Sequence, residues 1–462
     1  MVPDEISDMA PVMDIDAAFA EAVLKRALLS GADQAEIFIR TSRGLTVDVK
    51  DGQVDSLKSS RSFGYGLRVL RQGSPGFSYS NLPADADRVV RDAVAAAAYA
   101  DPDVHLDFPD AEASSDAVAS VAVADPEVEA VSEEDAISMT TRMEDAARRA
   151  DVRITKIRRA SGSFESSELL IVNSKKVNTG YRSTSCSAQI TTIAEEGGDA
   201  QVGFDYSGSR FLSDVSFEKT GTNAAQHACS LLGARKFSTR RAAVVLDSSV
   251  SVDFLGILAG SLSADHVQKG KSLLSGRLGD IVISPRIRIV DSGLLPGKLG
   301  SSPVDDEGVP ARMKVLIEQG ALQGYLHNTY TARKWATHST GNATRGGYAS
   351  LPSVGISNLY IEATSGVVVI PKQELYGAVG NGLHVLDAMG VHMANPITGD
   401  YSVGVTGIWV EHGAPAYPVK EAVISGNILD LFSSVEAVGD DLRFYGGLGG
   451  PSLIIGEMNI SA

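Results

Sequence analysis

The chain has 462 residues, too many for one ordinary core, so two to three domains are expected. Hydrophobic content of 44% with 21% charged residues marks a globular chain, and no apolar run approaches the ~20 residues of a bilayer-crossing helix. A net charge of −16 argues against direct nucleic-acid binding, which relies on clustered Lys and Arg.

Residues 1–13 are acidic, lack the basic region and apolar core of a secretory signal, and are expected to be disordered. An N-terminal α+β lobe is expected over 14–100. Its first helix, 15–30, places Phe19, Val23 and Ala27 on one face, with Gly31 positioned to stop it. From Ala35 the period changes to two: Leu45, Val47 and Val49 alternate with Thr46, Asp48 and Lys50. Asp51-Gly52 supplies a hairpin turn, Phe63, Tyr65, Leu67 and Val69 continue the meander, and Pro83 opens an alanine-rich helix to 100. Residues 101–131 form an acidic connection. The stretch 101–150 carries 14 Asp and Glu against 3 Arg, which reads as a solvated surface.

A central α+β lobe follows over 132–238. Ser132 starts a helix with Asp135 in its first turn, strands run through 153–206 with a hairpin at Gly197-Gly198, and a helix over 213–232 stops at Gly233. Helix, antiparallel meander, helix thus occurs twice. Cys186 alternates with Ala188 and Ile190 as a reduced, buried thiol. With Cys229 the only other cysteine there is no disulfide framework, and a cytoplasmic location is expected.

Residues 239–462 read as a β-rich C-terminal domain around a buried helix. An apolar run over 242–246 and a polar break (Asp247, Ser248, Ser249) precede Val252, Leu255, Ala259 and Leu262 on one helical face. Phe254, Ile257 and Leu258 make the remaining faces apolar, so burial nearly all round is expected, with Ser249 or Ser251 as N-cap. Strand pairs are expected at 314–318 with 322–327, across Gln319-Gly320, and at 403–410 with 414–419. A helix follows Asn427, and an apolar strand over 452–460 ends the chain.

Local chemistry is sparse. No two of the eight histidines lie two to five residues apart, and there is no HExxH or CxxC, so no metal site is read from spacing. GLLPGK (293–298) has the wrong glycine spacing and Leu299 where Ser or Thr should hold magnesium. The glycine run 446–450 ends in Pro451 and reads as a turn, no GxSxG elbow occurs, and Asp305-Asp306-Glu307 before Gly308 reads as a turn cap.

Three segments of the third unit carry a resemblance: KGKSLLSGRLGD (269–280), DDEGVPARMKVLIEQGALQGYLHNTYTARKWATHSTGN (305–342) and ITGDYSVGVTGIWVEHGAPAYPVKEAVISGNILDLF (397–432). The chain resembles the TldD/PmbA family over essentially its whole length. In TldD-like members the helix matching the one in the 241–280 stretch carries a HExxxH zinc motif, its glutamate the general base, and a cysteine near the C-terminus adds a ligand. Aligned on Lys269-Gly270, Leu255, Gly256 and Gly260 stand at those three positions, and residues 443–462 hold no cysteine. Leucine and glycine side chains offer zinc no lone pair. The sequence is therefore similar to the PmbA/TldE branch, which lacks its own metal centre.

That resemblance implies a cytoplasmic heterodimer with a TldD-type subunit carrying the zinc, acting on unfolded peptides; the older label, modulator of DNA gyrase, reflects such substrates. No catalytic residue, metal or cofactor is then expected on this chain. Its part would be to complete a cavity and offer sheet edges to extended peptide. Asn342, Asp400, Tyr401 and Glu411, polar groups inside the family-like segments, are candidates for a peptide groove. The plainer reading has Asn342 and Asp400 stabilising turns beside Gly341 and Gly399. Two other functions remain open: a self-sufficient peptide-binding or scaffold homodimer, and an independent metallopeptidase with a scattered site.

Overall fold

The computed structural model describes residues 17–111 and 120–462; the segment expected to be disordered lies outside them. The fold is α+β with antiparallel sheets. The first half holds α1 (Ala17–Leu29), β1 (Gln34–Lys50), β2 (Gln53–Arg71), β3 (Ser74–Ser80) and α2 (Ala86–Ala97). A short α3 (Pro126–Glu129) precedes α4 (Glu133–Ala150), β4 (Ile154–Asn173), β5 (Asn178–Glu196), β6 (Asp199–Ser209) and α5 (Phe217–Ser230).

The alternation and turn residues produce this order directly. Asp51 and Gly52 adopt φ 53° and 71° between β1 and β2, and Gly197 and Gly198 adopt 59° and 86° between β5 and β6. At the start of α4, Ser132 and Asp135 form a reciprocal capping box.

The two lobes are not separate sheets. β1 and β4 pair antiparallel from Glu36 with Asn173 to Val49 with Ala160, giving one six-stranded sheet in the order β3-β2-β1-β4-β5-β6. Joining the lobes buries two strand edges that would otherwise be open to unwanted pairing. Its helix-covered face holds two cores. Ile37, Ile39, Tyr65 and Leu67 pack with Val89, Val90 and Ala93, while Leu45, Val47 and Val49 pack with Met143, Ala147, Ile157 and Ala224.

The halves match in detail. A Cβ on Gly76 would lie 2.0 Å from Ala93 O and 3.0 Å from Ala97 Cβ; on Gly203 it would lie 2.1 Å from Ala224 O and 2.9 Å from Ala228 Cβ. After each third strand a serine hydroxyl donates to an aspartate five residues on, Ser80 to Asp85 at 2.7 Å and Ser209 to Asp214 at 2.8 Å. These are two copies of one unit in structure.

The acidic connection is less solvated than its charge suggests. Phe108, Val123, Val128 and Val131 are buried, and Asp125 caps α3 by accepting from Glu127 N.

In the C-terminal region the strands Arg240–Leu246, Gly382–Met389, Asp400–Glu411, Ala414–Asn427 and Leu453–Ser461 close into a five-stranded barrel, sealed where Ile424 pairs with Ile460. A second sheet has the order Ala321–Leu322, Met313–Glu318, Ile287–Ser292, Leu359–Ala363, Leu448–Gly450, Arg443–Tyr445. Between barrel and sheet lies α6 (Ser248–Ala259), its Phe254, Leu255 and Leu258 fully buried in one core with Val244 and Val385 from the barrel and Ile289 and Leu359 from the sheet. The hairpin expected to continue through 322–327 stops at Leu322, because Leu326 leaves to bond Leu262 O and Ala264 N. Gly446 and Gly447 form the expected turn, but the rest of that run is a strand whose Gly450 approaches α6 closely; a Cβ there would meet Ser251 Oγ at 2.6 Å.

Candidate functional site

Two expectations about α6 need correction. Its N-cap is Asp247, whose carboxylate accepts from Ser249 N at 3.3 Å; Ser249 and Ser251 lie inside the helix. Ser251 instead donates to Ser248 O and Pro451 O, a tie to the neighbouring strand that no local pattern announces. Nor is the helix buried all round. Asp253 and Gly256 are exposed and Ala259 and Gly260 half-buried, leaving one open strip.

The zinc-motif positions divide across that boundary. Leu255 is fully buried in the core, while Gly256 and Gly260 lie on the strip. A Cβ at Gly256 would meet only Leu448 Cδ1 at 3.5 Å, and one at Gly260 would meet His266 Nδ1 at 3.4 Å, so neither glycine is enforced by crowding. His266 Nδ1 lies 2.8 Å from Gly260 O. These residues do not fit a zinc centre, because three aliphatic or absent side chains supply no donor and no base. Among the described residues no three His, Cys, Asp or Glu are grouped to hold a metal ion.

On the strip, Asp253 is the titratable group. Although the residue as a whole is exposed, partial loss of water around its carboxyl and the nearby Asp387 charge push that group up to about 6. At the head of the helix Asp247 is held well below the usual carboxylate range: burial raises it, but His384, Lys372 and Ser249 N–H outweigh that. Tyr376 hydroxyl lies 2.9 Å from His384 Nδ1, and His384 Nε2 lies 3.7 Å from Asp247. His384, read from sequence as an ordinary histidine, is a buried part of this staple between helix and barrel.

Of the four groove candidates, Asn342 and Tyr401 are buried, while Asp400 and Glu411 are exposed at opposite ends of one strand. Asn342 is 1% exposed, accepts from Lys314 Nζ (3.0 Å) and Thr340 Oγ1 (2.7 Å), and donates to Asp291 (2.9 Å) and Gly355 O (3.0 Å). Tyr401 is buried edge-on against Phe254, ring centroids 4.9 Å apart, and burial raises its phenol. Asp400 is exposed and accepts from Thr398 (2.7 Å) and Asn427 (3.0 Å), fixing the turn at Gly399. Glu411, at the far end of the same strand, accepts from Trp409 Nε1 at 2.9 Å. With ~3.3 Å per strand residue, Asp400 and Glu411 are roughly 35 Å apart.

Sequence reasoning missed the junction between the six-stranded sheet and the C-terminal domain. Asp305 caps its turn as expected, accepting from Glu307 N, Val309 N and Ala343 N. Its neighbour Glu307 reaches Arg68 at 3.2 Å, Arg68 holds Glu36 through two bonds of 2.7 and 2.9 Å, and Arg345 also pairs with Glu36. Both guanidinium groups lie over phenyl rings, Arg68 on Phe108 and Arg345 on Phe38.

The chain matches the PmbA/TldA metallopeptidase domain 1 over residues 35–97, the central domain over 126–232 and the C-terminal domain over 239–462. It is 31% identical over 440 residues to the metalloprotease PmbA of Escherichia coli O157:H7, covering 94% of each chain. The chain belongs to the PmbA/TldD family. A metalloprotease TldD homologue of Haemophilus influenzae is 26% identical over 333 residues, 70% of this chain and 68% of that one. The crystal structure of TldE from Thermococcus kodakarensis superposes with a TM-score of 0.87 at 19% identity, over 96% of this chain and 100% of that one, and so shares the fold. Among the described residues no helix is long and apolar enough to cross a membrane. In this chain the open strip of α6 presents Asp253, Gly256 and Gly260.

Proposed function

We propose that this chain is the non-catalytic, PmbA/TldE-type subunit of a two-chain cytoplasmic peptidase acting on unfolded peptides, with zinc and general base supplied by a TldD-type partner. One observation carries the reading: Leu255, Gly256 and Gly260 stand at the motif positions, Leu255 points into the core, and none can bind a metal or take a proton. A second feature suits strand addition. β3 pairs with β2 only from Tyr65 onward, so among the described residues the outer edge of β2 before Tyr65 has no strand partner.

The experiment is to mix the purified chain with a TldD-type subunit. A stable complex by size-exclusion chromatography is expected, with zinc by elemental analysis in the partner and cleavage of an unfolded peptide only in the mixture. A chain that cleaves peptide alone and loses activity on chelation would overturn the proposal. One that binds peptide tightly as a homodimer and ignores the partner would do the same.

A further inference from the structure

The helix-free face of the six-stranded sheet is unusual for a surface covered by another domain. Strand register places Arg40 opposite Leu169 and Leu169 opposite Tyr181, then Ser167 opposite Ser183, Glu165 opposite Ser185 and Ser163 opposite Ser187. Directly opposed residues point to the same side, so β1, β4 and β5 present guanidinium, phenol, carboxylate and a double row of hydroxyls to one space. Asp306 and Arg345 of the C-terminal domain roof it, enclosing a cavity of ≈ 180 Å³. A second cavity of ≈ 380 Å³, walled by Leu299 and Tyr206, shares Arg40, Ser185 and Arg210 with the first.

Among the described residues one cation of this wall is left without a carboxylate in contact. Arg345 is spent on Glu36, and Arg40 lies 3.3 Å from Glu165, both of these nearly half exposed. Asp306 accepts from Arg345 N–H at 2.7 Å, and burial raises its carboxyl above the ordinary range. Among the described residues Arg210 has no carboxylate within bonding distance. Its guanidinium donates to three carbonyls, Thr184 O (3.1 Å), Leu299 O (2.7 Å) and Ser301 O (3.0 Å), and its Nε is buried with no partner among the described residues. A half-buried guanidinium whose Nε–H has no partner is incompletely satisfied, and an anion that reached it would add charge-assisted bonds.

We infer that this paired cavity, centred on Arg210 and Arg40, is a carboxylate-binding site that takes the C-terminal carboxylate of a peptide. A singly charged, planar group suits the one guanidinium left without a carboxylate in contact, and the carboxylates of Glu165 and Asp306 on the same wall disfavour a dianion such as phosphate. The adjoining space and its serine hydroxyls suit the last residues of an extended chain better than a lone ion. That the carboxylate belongs to a peptide rests on the proposed function; the site itself rests on the geometry.

The test uses the full chain without a partner, so it does not depend on complex formation. A short unstructured peptide is titrated in two forms, free C-terminal acid and C-terminal amide, alongside acetate and inorganic phosphate, by calorimetry and by the arginine Nε–Hε NMR signals. The acid form is expected to bind at least tenfold more tightly than the amide and to shift the Arg210 signal. Because Arg210 also ties β6 to residues 299–301, the informative variants are elsewhere. Arg40→Gln should weaken the acid form about tenfold, while Glu165→Gln, which frees Arg40, should tighten it. Equal binding of acid and amide, no binding of either, tighter binding of phosphate, or indifference to both variants would overturn the assignment.

Discussion

Glu36 and Arg345 are 309 residues apart in the chain and pair with each other with neither side chain exposed. Glu36 opens β1 and Arg345 sits in the loop that roofs the sheet, so this contact joins the first lobe to the C-terminal domain. Arg68 and Glu307 complete a set of two positive and two negative groups, which lets all four be buried together.

Glu36→Gln keeps the shape and removes the charge, leaving two guanidinium groups to share Glu307. A loss of about 3–5 kcal/mol is expected in denaturant unfolding. The pH dependence has a definite sign. Burial alone would raise the Glu36 carboxyl, but Arg68 and Arg345 hold it below its ordinary 4.5. The stabilisation is therefore complete above pH 4.5 and lost as pH falls through the folded value. Acid unfolding of the variant should lack that component; an unchanged acid limb would show that the pair does not hold the domains.

The glycines of α6 and of the sheet make opposite predictions. Gly256 is a helical glycine with room for a methyl group, the nearest atom being Leu448 Cδ1 at 3.5 Å. Gly256→Ala should stabilise the chain by about 0.5–1 kcal/mol through helix propensity. Gly76→Ala and Gly203→Ala would each drive a methyl to within 2.1 Å of a helix carbonyl, and should cost about 1–3 kcal/mol or more. Similar losses at the last two sites would support their equivalence in the two halves; a neutral Gly203→Ala would refute the close packing of β6 on α5.

Asp253 reverses the usual carboxylate behaviour. Its folded value near 6 lies above its unfolded 3.8, so its contribution is fully present below pH 3.8 and lost as pH rises through about 6. Asp253→Asn should match the parent chain in acid and exceed it in stability above pH 6. Asp387→Asn should lower the Asp253 value, measured by carboxyl NMR titration. No change on removing Asp387 would locate the perturbation elsewhere.

Much of the fold was legible because its signals are local. Alternation along β1, positive φ at Asp51-Gly52 and Gly197-Gly198, the Ser132–Asp135 box and the apolar pattern of α6 all act within a few residues. The absence of donors at Leu255, Gly256 and Gly260 is likewise a property of side-chain type, which no packing can change. What no window on the sequence contains is partnership at a distance. The tertiary structure decided that β1 pairs with β4, that α6 keeps an open strip over Asp253 and Gly256, and that Asn342 is consumed in a buried network. It also decided that Arg40 and Arg210 share a cavity wall while Arg345 is neutralised by Glu36. A charge's role depends on which counter-charge reaches it and how much water is left around it. Both are set by segments hundreds of residues away.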